Sequence, residues 1–298
     1  MNPAASTNYL AVQGPHGKTF PRLGARTEAE QYKLTPEQVQ NYRKNGFVHS
    51  VPIMTQEQVG RLRNGLEAIV TKKARVEELI SKESSGGKEN ENKLTYMQGA
   101  WMIDEAIHDL VFHPAITVKL AQLLNTPRVR FWHDQVFYKP PRTGGNVAWH
   151  QDYSYWQRAQ PSQHITCWIG LDDSRTDNGC LQAIPGSHRW PLLDMTALTG
   201  DMQGLDKQLS PEQRAAFKPM PLEQPTGTCS FHHDHTVHGS YPNTSERPRR
   251  AIVLNYMADG TVSAAEDGVM MPGFKTIPKG QKIEGEWFPL ALDLDRLK

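Results

Sequence analysis

"VRFWHDQVFYK" occupies residues 129–139 and marks the point where the texture of the chain changes. Aromatic and β-branched residues dominate it, the composition of a strand packed on at least one face. Further short runs of the same kind follow: "ITCWIGLD" (165–172), "CLQAI" (180–184), "GTCSFHH" (227–233) and "RAIVLNYM" (250–257). Clusters of Pro, Gly, Asn and Asp separate them, with no helical pattern between. Many short strands joined by turns predict a mainly β fold, a sandwich or jelly-roll barrel, with its helices outside.

Upstream, the period shifts from two residues to 3.6. "LTPEQVQNYRKNGFV" (34–48) predicts a helix with Thr35 as N-cap, Pro36 at its first position, Gln38 closing a capping box and Gly46 ending it. "TQEQVGRLRNGLEAIVTKKARVEEL" (55–79) places Val59, Leu62, Leu66, Ile69 and Val70 in helical steps, and "PAITVKLAQLL" (114–124) predicts a third helix. "SKESSGGKENENK" (81–93) has no apolar residue and is expected to be a mobile surface loop. These signals divide the chain into a flexible arm (1–33) and a single domain (34–298). The domain comprises a helical part (34–127), a β core (128–260) and a C-terminal extension (261–298).

Bulk properties narrow the function. A formal net charge of +1 over 298 residues gives no general electrostatic attraction to nucleic acid or an anionic membrane. No stretch approaches the apolar length of a membrane span, and the N-terminus lacks the pattern of a signal peptide. Cys167, Cys180 and Cys229 are odd in number and have no CxxC spacing, which fits a reducing cytoplasm better than a disulfide framework. The Asn243-Thr244-Ser245 sequon is read as chance without a secretory signal.

Nine residues after Lys139, "AWHQDYSYW" (148–156) sets His150 and Asp152 two positions apart. On a strand such residues share a face, so an imidazole and a carboxylate converge. With one further histidine they would make the two-His-one-carboxylate set that suits Fe(II) and leaves coordination positions open. "SFHHDHTVHGS" (230–240) supplies candidates in His232, His233, His235 and His238, along with a rival pair, His232 and Asp234. No histidine follows His238, so the rival would have only a cramped site within one segment. His150 and Asp152 have the whole cluster 80 or more residues downstream, enough for intervening strands. His238 is favoured as third ligand because a turn, a group of arginines and an apolar strand follow it. A basic residue entering that strand would pair with a dicarboxylate co-substrate. The other three histidines are read as polar strand positions.

With these motifs in view, the chain resembles the phytanoyl-CoA dioxygenase-like branch of the Fe(II)/2-oxoglutarate oxygenases. The likeness runs from "LTPEQVQNYRKNGFV" to "RAIVLNY" and is most specific in "WHQD", "DNGCLQAIPGSH" and "HGSYPNTSERPRRA". It implies a double-stranded β-helix (a cupin-like jelly roll) with iron held between the sheets by His150, Asp152 and His238. It also implies that Arg249, eleven residues after His238, holds the far carboxylate of 2-oxoglutarate, with Ser240, Trp168 and Gln135 as further contacts. The expected reaction consumes O2 and 2-oxoglutarate, releases succinate and CO2, and hydroxylates or otherwise oxidises a C–H bond of a small molecule.

His133, Tyr153, Tyr155, Trp156 and Arg158 are the expected substrate contacts, under a lid drawn from 81–93 or from "LTYMQGAW" (94–101). The sequence shows no basic patch suited to a coenzyme A tail, and it leaves the substrate and the oligomeric state open. A non-catalytic jelly-roll binding protein is the alternative; it accounts for the strands but not for the metal set, the distal His and the Arg occurring together.

Overall fold

The structure is a computed structural model that describes residue 9 and residues 13–71, 81–85, 94–142 and 145–298. Two antiparallel sheets face one another. The larger runs, in hydrogen-bonded order, Phe47–Pro52, Thr228–His233, His164–Gly170, Arg249–Ala258, Arg128–Lys139, Leu94–Gln98 and Ser81–Ser85, and Leu290–Asp293 also pairs with Arg128–Lys139. The smaller runs Val147–His150, His238–Ser240, Leu181–Ala183 and Met220–Pro221. Phe137, Trp168, Ala251 and Val253 of the first sheet pack with Val147, Leu181 and Ala183 of the second. This is the jelly-roll sandwich expected of the strand pattern.

Strand alternation sorts the central strands into two chemistries. Ile165, Cys167, Ile169, Phe231, Ile252 and Leu254 point outward into a large apolar core shared with the helices. Their neighbours Thr166, Trp168, His232, Arg249 and Val253 line a cavity between the sheets. The outer core is closed by Gln56–Val70, whose Val59, Leu62, Leu66 and Ile69 are buried, and by Pro114–Leu124, buried along Pro114 to Ala121.

Helix starts follow the local signals. Thr35 accepts from the Gln38 N–H at 3.2 Å, Gln38 returns to the Thr35 N–H at 3.0 Å, and Gly46 ends the helix at φ 86°. The helix expected over 55–79 is seen from Gln56 to Val70, and 72–80 lie outside the described residues.

Two expectations need correction. The stretch before residue 34 is not loose over its described part, because Phe20 and Ala29 are buried. The buried carboxylate of Asp109 also accepts backbone N–H groups of His16, Gly17, Lys18 and Thr19. The segment beginning at Ser81 is a strand as far as Ser85, since its backbone finds an unpaired edge at Leu94–Gln98, from Ser81↔Gln98 to Ser85↔Leu94. The remainder of that expected loop, 86–93, lies outside the described residues. The C-terminal extension is part of the packing: Met270, Met271, Ile283 and Phe288 bury against Trp132, Tyr153 and Trp156. Among the described residues, no helix is long and apolar enough to cross a membrane.

Candidate metal centre

His150 and His238 are register partners across the smaller sheet, His150 ending its strand and His238 beginning its own. Their rings lie 4.2 Å apart, centroid to centroid. Asp152 arrives differently from the strand geometry expected. The strand stops at His150, and Asp152 adopts a helical backbone (φ −57°, ψ −41°) at the head of the one-turn helix Tyr153–Trp156. That reversal turns its carboxylate back onto the histidines. Asp152 Oδ1 lies 3.4 Å from His150 Nε2 and 3.6 Å from His238 Nε2. One donor atom from each of the three buried residues falls within 4.8 Å of the others, a grouping able to hold a metal ion.

The surrounding bonds leave the ligating atoms free. His150 Nδ1 is 2.7 Å from the Ala148 carbonyl and His238 Nδ1 is 2.9 Å from the Thr236 carbonyl. A carbonyl only accepts, so each Nδ1 carries the proton and each Nε2 keeps its lone pair toward Asp152. Burial, reinforced by the neighbouring His150, holds His238 well below its ordinary pKa, in the neutral form a ligand needs. Asp152 Oδ2 is occupied from behind by the Thr166 hydroxyl at 2.6 Å and His232 Nε2 at 3.2 Å, which leaves Oδ1 to face the histidines. Burial alone would raise the Asp152 pKa. The hydrogen bond from His232 helps to outweigh it, and the carboxyl is held well below its usual range.

The cavity beside this triad measures about 280 Å³. At one end stands Arg249, 1% exposed, with Nε and Nη1 buried and without a hydrogen-bond partner among the described residues. Its guanidinium carbon sits 5.3 Å from the centre of the Trp168 ring. Burial lowers its pKa to about 10, still far above neutral pH, so it remains a cation. Buried donors of a charged group seldom go unpaired, and a fork of this shape matches a carboxylate. The neighbouring arginines are spent: Arg247 pairs with Asp177 at the surface and Arg250 with Asp172.

The phytanoyl-CoA dioxygenase (PhyH) family model matches residues 42–251. The chain belongs to the PhyH family. Among individual proteins, it is 27% identical to a probable alpha-ketoglutarate-dependent hypophosphite dioxygenase of Stutzerimonas stutzeri, over 74% of this chain and 78% of that protein. L-proline trans-4-hydroxylase of Streptomyces griseoviridis is 26% identical, over 72% of this chain and 83% of its own. The crystal structure of the non-heme alpha ketoglutarate dependent carbocyclase SnoK superposes with a TM-score of 0.69 at 26% identity, covering 88% of this chain and 97% of that one. Family, relatives and buried His-Asp-His set agree: this PhyH-family protein is a non-haem iron, 2-oxoglutarate-dependent oxygenase.

Most of the residues expected from sequence line one cavity: Gln135, Trp168, Ser240 and Arg249, together with His133, Tyr155, Trp156 and Arg158. Tyr153 is the exception. Its hydroxyl donates to the Ala159 carbonyl at 3.1 Å and its ring stacks on His235, so it packs behind the wall. Asp134 also turns away and accepts from the Gly99 and Trp101 N–H groups. From the expected lid segment 94–101, Tyr96 and Gln98 reach the cavity. The rival pair separates, because Asp234 is engaged by the Ser162 hydroxyl, the His164 N–H and His233. His232 is no bland strand position, since it braces Asp152.

Sequence reasoning missed Thr166, His232 in this role, Asn255, and Trp132, Met270, Met271 and Pro272 on the wall. Thr166 and His232 were findable from strand parity, being two residues from Trp168 and on the inward face of Thr228–His233. Nothing local marked the Met270–Pro272 segment.

The bracing of Oδ2 predicts that Thr166→Val, nearly isosteric, lowers metal affinity by roughly 10- to 100-fold without unfolding the protein. Isothermal titration with Mn(II) reads this. His233→Ala, on the opposite strand face, should leave the affinity unchanged, and equal losses from both would dismiss the bracing argument.

Proposed function

We propose that His150, Asp152 and His238 hold the iron, that Arg249 anchors the distal carboxylate of 2-oxoglutarate, and that the remaining cavity orients a small-molecule C–H bond for hydroxylation. The observation that carries this reading is the adjacency, in one buried cavity, of a metal-competent triad and a guanidinium with orphaned donors. When bound, iron and 2-oxoglutarate supply the oxidising chemistry: O2 is consumed, 2-oxoglutarate becomes succinate and CO2, and the substrate C–H is hydroxylated.

The chain's own residues do the rest. A metal held by these three residues would keep coordination positions for co-substrate and oxygen. Trp168 and Gln135 flank the 2-oxoglutarate; Gln135 is itself steadied by the Asn255 amide at 3.3 Å. Substrate lies against His133, Tyr155, Trp156 and Arg158, with Met270 and Met271 completing an apolar wall that excludes water. His133 stays neutral there, burial having lowered its pKa to about 4. A cavity of about 280 Å³ shared with 2-oxoglutarate favours a small organic substrate. Three free, buried cysteines fit a reducing cytoplasm.

A succinate-release screen over a library of small metabolites identifies the substrate. With it in hand, hydrogen exchange should show protection of residues 153–158 and 270–272; protection confined elsewhere would remove the proposed substrate wall.

Arg249→Ala should raise the 2-oxoglutarate requirement by roughly 10- to 150-fold, the equivalent of about 1.5–3 kcal/mol for a lost charge-assisted contact. Arg247→Ala, exposed and paired with Asp177, should change little. Similar effects from the two substitutions, measured as KM for 2-oxoglutarate, would refute the assignment of Arg249.

Asp152 also sets the outcome of the reaction. As a ligand, its carboxylate would take the position that a halide needs, and its negative charge would disfavour a bound anion. Turnover in excess chloride or bromide should therefore yield hydroxylated product alone by mass spectrometry, and a halogenated product would mean that Asp152 is not a ligand.

A further inference from the structure

Beyond the Arg249 end of the cavity lies a second buried basic side chain. Lys139, the last residue of Arg128–Lys139, is 0% exposed and does not itself line the cavity. Its ammonium donates to the Ser240 hydroxyl at 2.7 Å and to the Tyr241 carbonyl at 2.5 Å, with the Ser240 carbonyl at 3.4 Å. The pocket around it is closed by Gly179, where a Cβ would lie 3.2 Å from Lys139 Nζ and 2.5 Å from the Tyr241 carbonyl. Among the described residues, neither Lys139 nor Arg249 has an acidic partner within ion-pair distance, although Arg249 borders the cavity and Lys139 stands directly behind Ser240. Burial, and after it the charge of Arg249, hold Lys139 well below its ordinary pKa, a cost that an anion bound at this end of the cavity would offset. Such a pair is built to receive negative charge.

The hydrogen-bond direction adds the specific role. An ammonium group has three donors and no lone pair, so in its bond with Lys139 the Ser240 oxygen must accept. The hydroxyl proton of Ser240 is thereby left to point elsewhere, and no acceptor among the described residues takes it. Ser240 is 3% exposed and lines the cavity beside Arg249.

We propose that Lys139 is a positioning residue for the co-substrate: it presets the Ser240 hydroxyl as a donor to the distal carboxylate of 2-oxoglutarate and shares with Arg249 the neutralisation of that carboxylate. The inference rests on the reading of Arg249 and Ser240 as the co-substrate end. Lys139 touches neither the metal ligands nor the cavity surface, so it acts through Ser240 and through its charge.

The test compares two chelators in the Mn(II)-loaded, oxygen-free protein by isothermal titration. 2-Oxoglutarate carries the distal carboxylate; oxalate occupies only the metal end. Lys139→Met should weaken 2-oxoglutarate about tenfold, as expected for losing a charge-assisted contact, and leave oxalate within about twofold. Ser240→Ala should cost less in the Lys139→Met background than in the wild type, because part of its function is already gone. Unchanged 2-oxoglutarate affinity in folded Lys139→Met would overturn the inference, as would equal weakening of oxalate, which marks a general distortion. Lys139→Gln, which keeps donors for the carbonyls but drops the charge, carries the same comparison if the Met variant does not fold. Failure of both to fold would make Lys139 a tie between sheets and the inference would be withdrawn. Absence of 2-oxoglutarate binding in the wild type would instead undo the underlying reading of the site.

Discussion

The carboxylate of Asp152 has two oxygens, and the site depends on their being treated differently. Thr166 and His232 hold Oδ2, so the carboxylate cannot rotate and Oδ1 stays directed between His150 and His238. Thr166 also approaches Asn255 at 3.0 Å, which in turn contacts His133 and Gln135. A single polar line therefore runs from Asp152 Oδ2, the oxygen turned away from the histidines, across two central strands to the wall of the cavity. Buried networks of this kind are costly if any member lacks a partner, and when complete they rigidify the groups they connect.

Such a line survives in a β sandwich because strand parity separates it from the apolar core. Every second residue of the central strands belongs to a core of Ile, Leu, Phe and Val shared with the helices. The intervening residues are freed to be Thr, Trp, His, Asn and Arg without opening that core to water. Burial of the outward face stabilises the sheet, and the sheet holds the inward face rigid enough for catalysis. The smaller sheet adds the pairing of His150 with His238, which brings together residues far apart in sequence.

Segments toward the two ends of the chain pack onto this frame. The N-terminal stretch is clamped by Asp109 through its backbone N–H groups, and the C-terminal extension wraps Met270, Met271 and Phe288 around Trp132 and Trp156. Both are irregular, rich in turns, and held by side-chain-to-backbone bonds and isolated apolar anchors. The C-terminal extension gives the cavity a wall, through Met270, Met271 and Pro272, that the sandwich alone would lack.

What the sequence determined by itself was everything with a local physical signature. Capping boxes at Thr35 and Thr55, the helical steps of Val59 to Ile69 and the strand-forming runs after Arg128 are all set by neighbours a few residues away. The His150, Asp152 and His238 set and Arg249 were legible because their residue types and spacing suit one chemistry, and the structure brings all four to one cavity. Only the tertiary structure decided which of several equivalent polar residues serve that site. His232 and His233 are adjacent and alike in sequence, but a strand sends them to opposite faces, one to Asp152 and the other to Asp234. Tyr153 and Tyr155 are likewise two positions apart, and a helical turn sends one behind the wall and the other into the cavity. Partners such as Lys139 with Ser240, or Met270 with Trp156, are separated by about a hundred residues. Contacts at that range leave no periodicity to read, because they are set by how whole sheets pack and not by the chain between them.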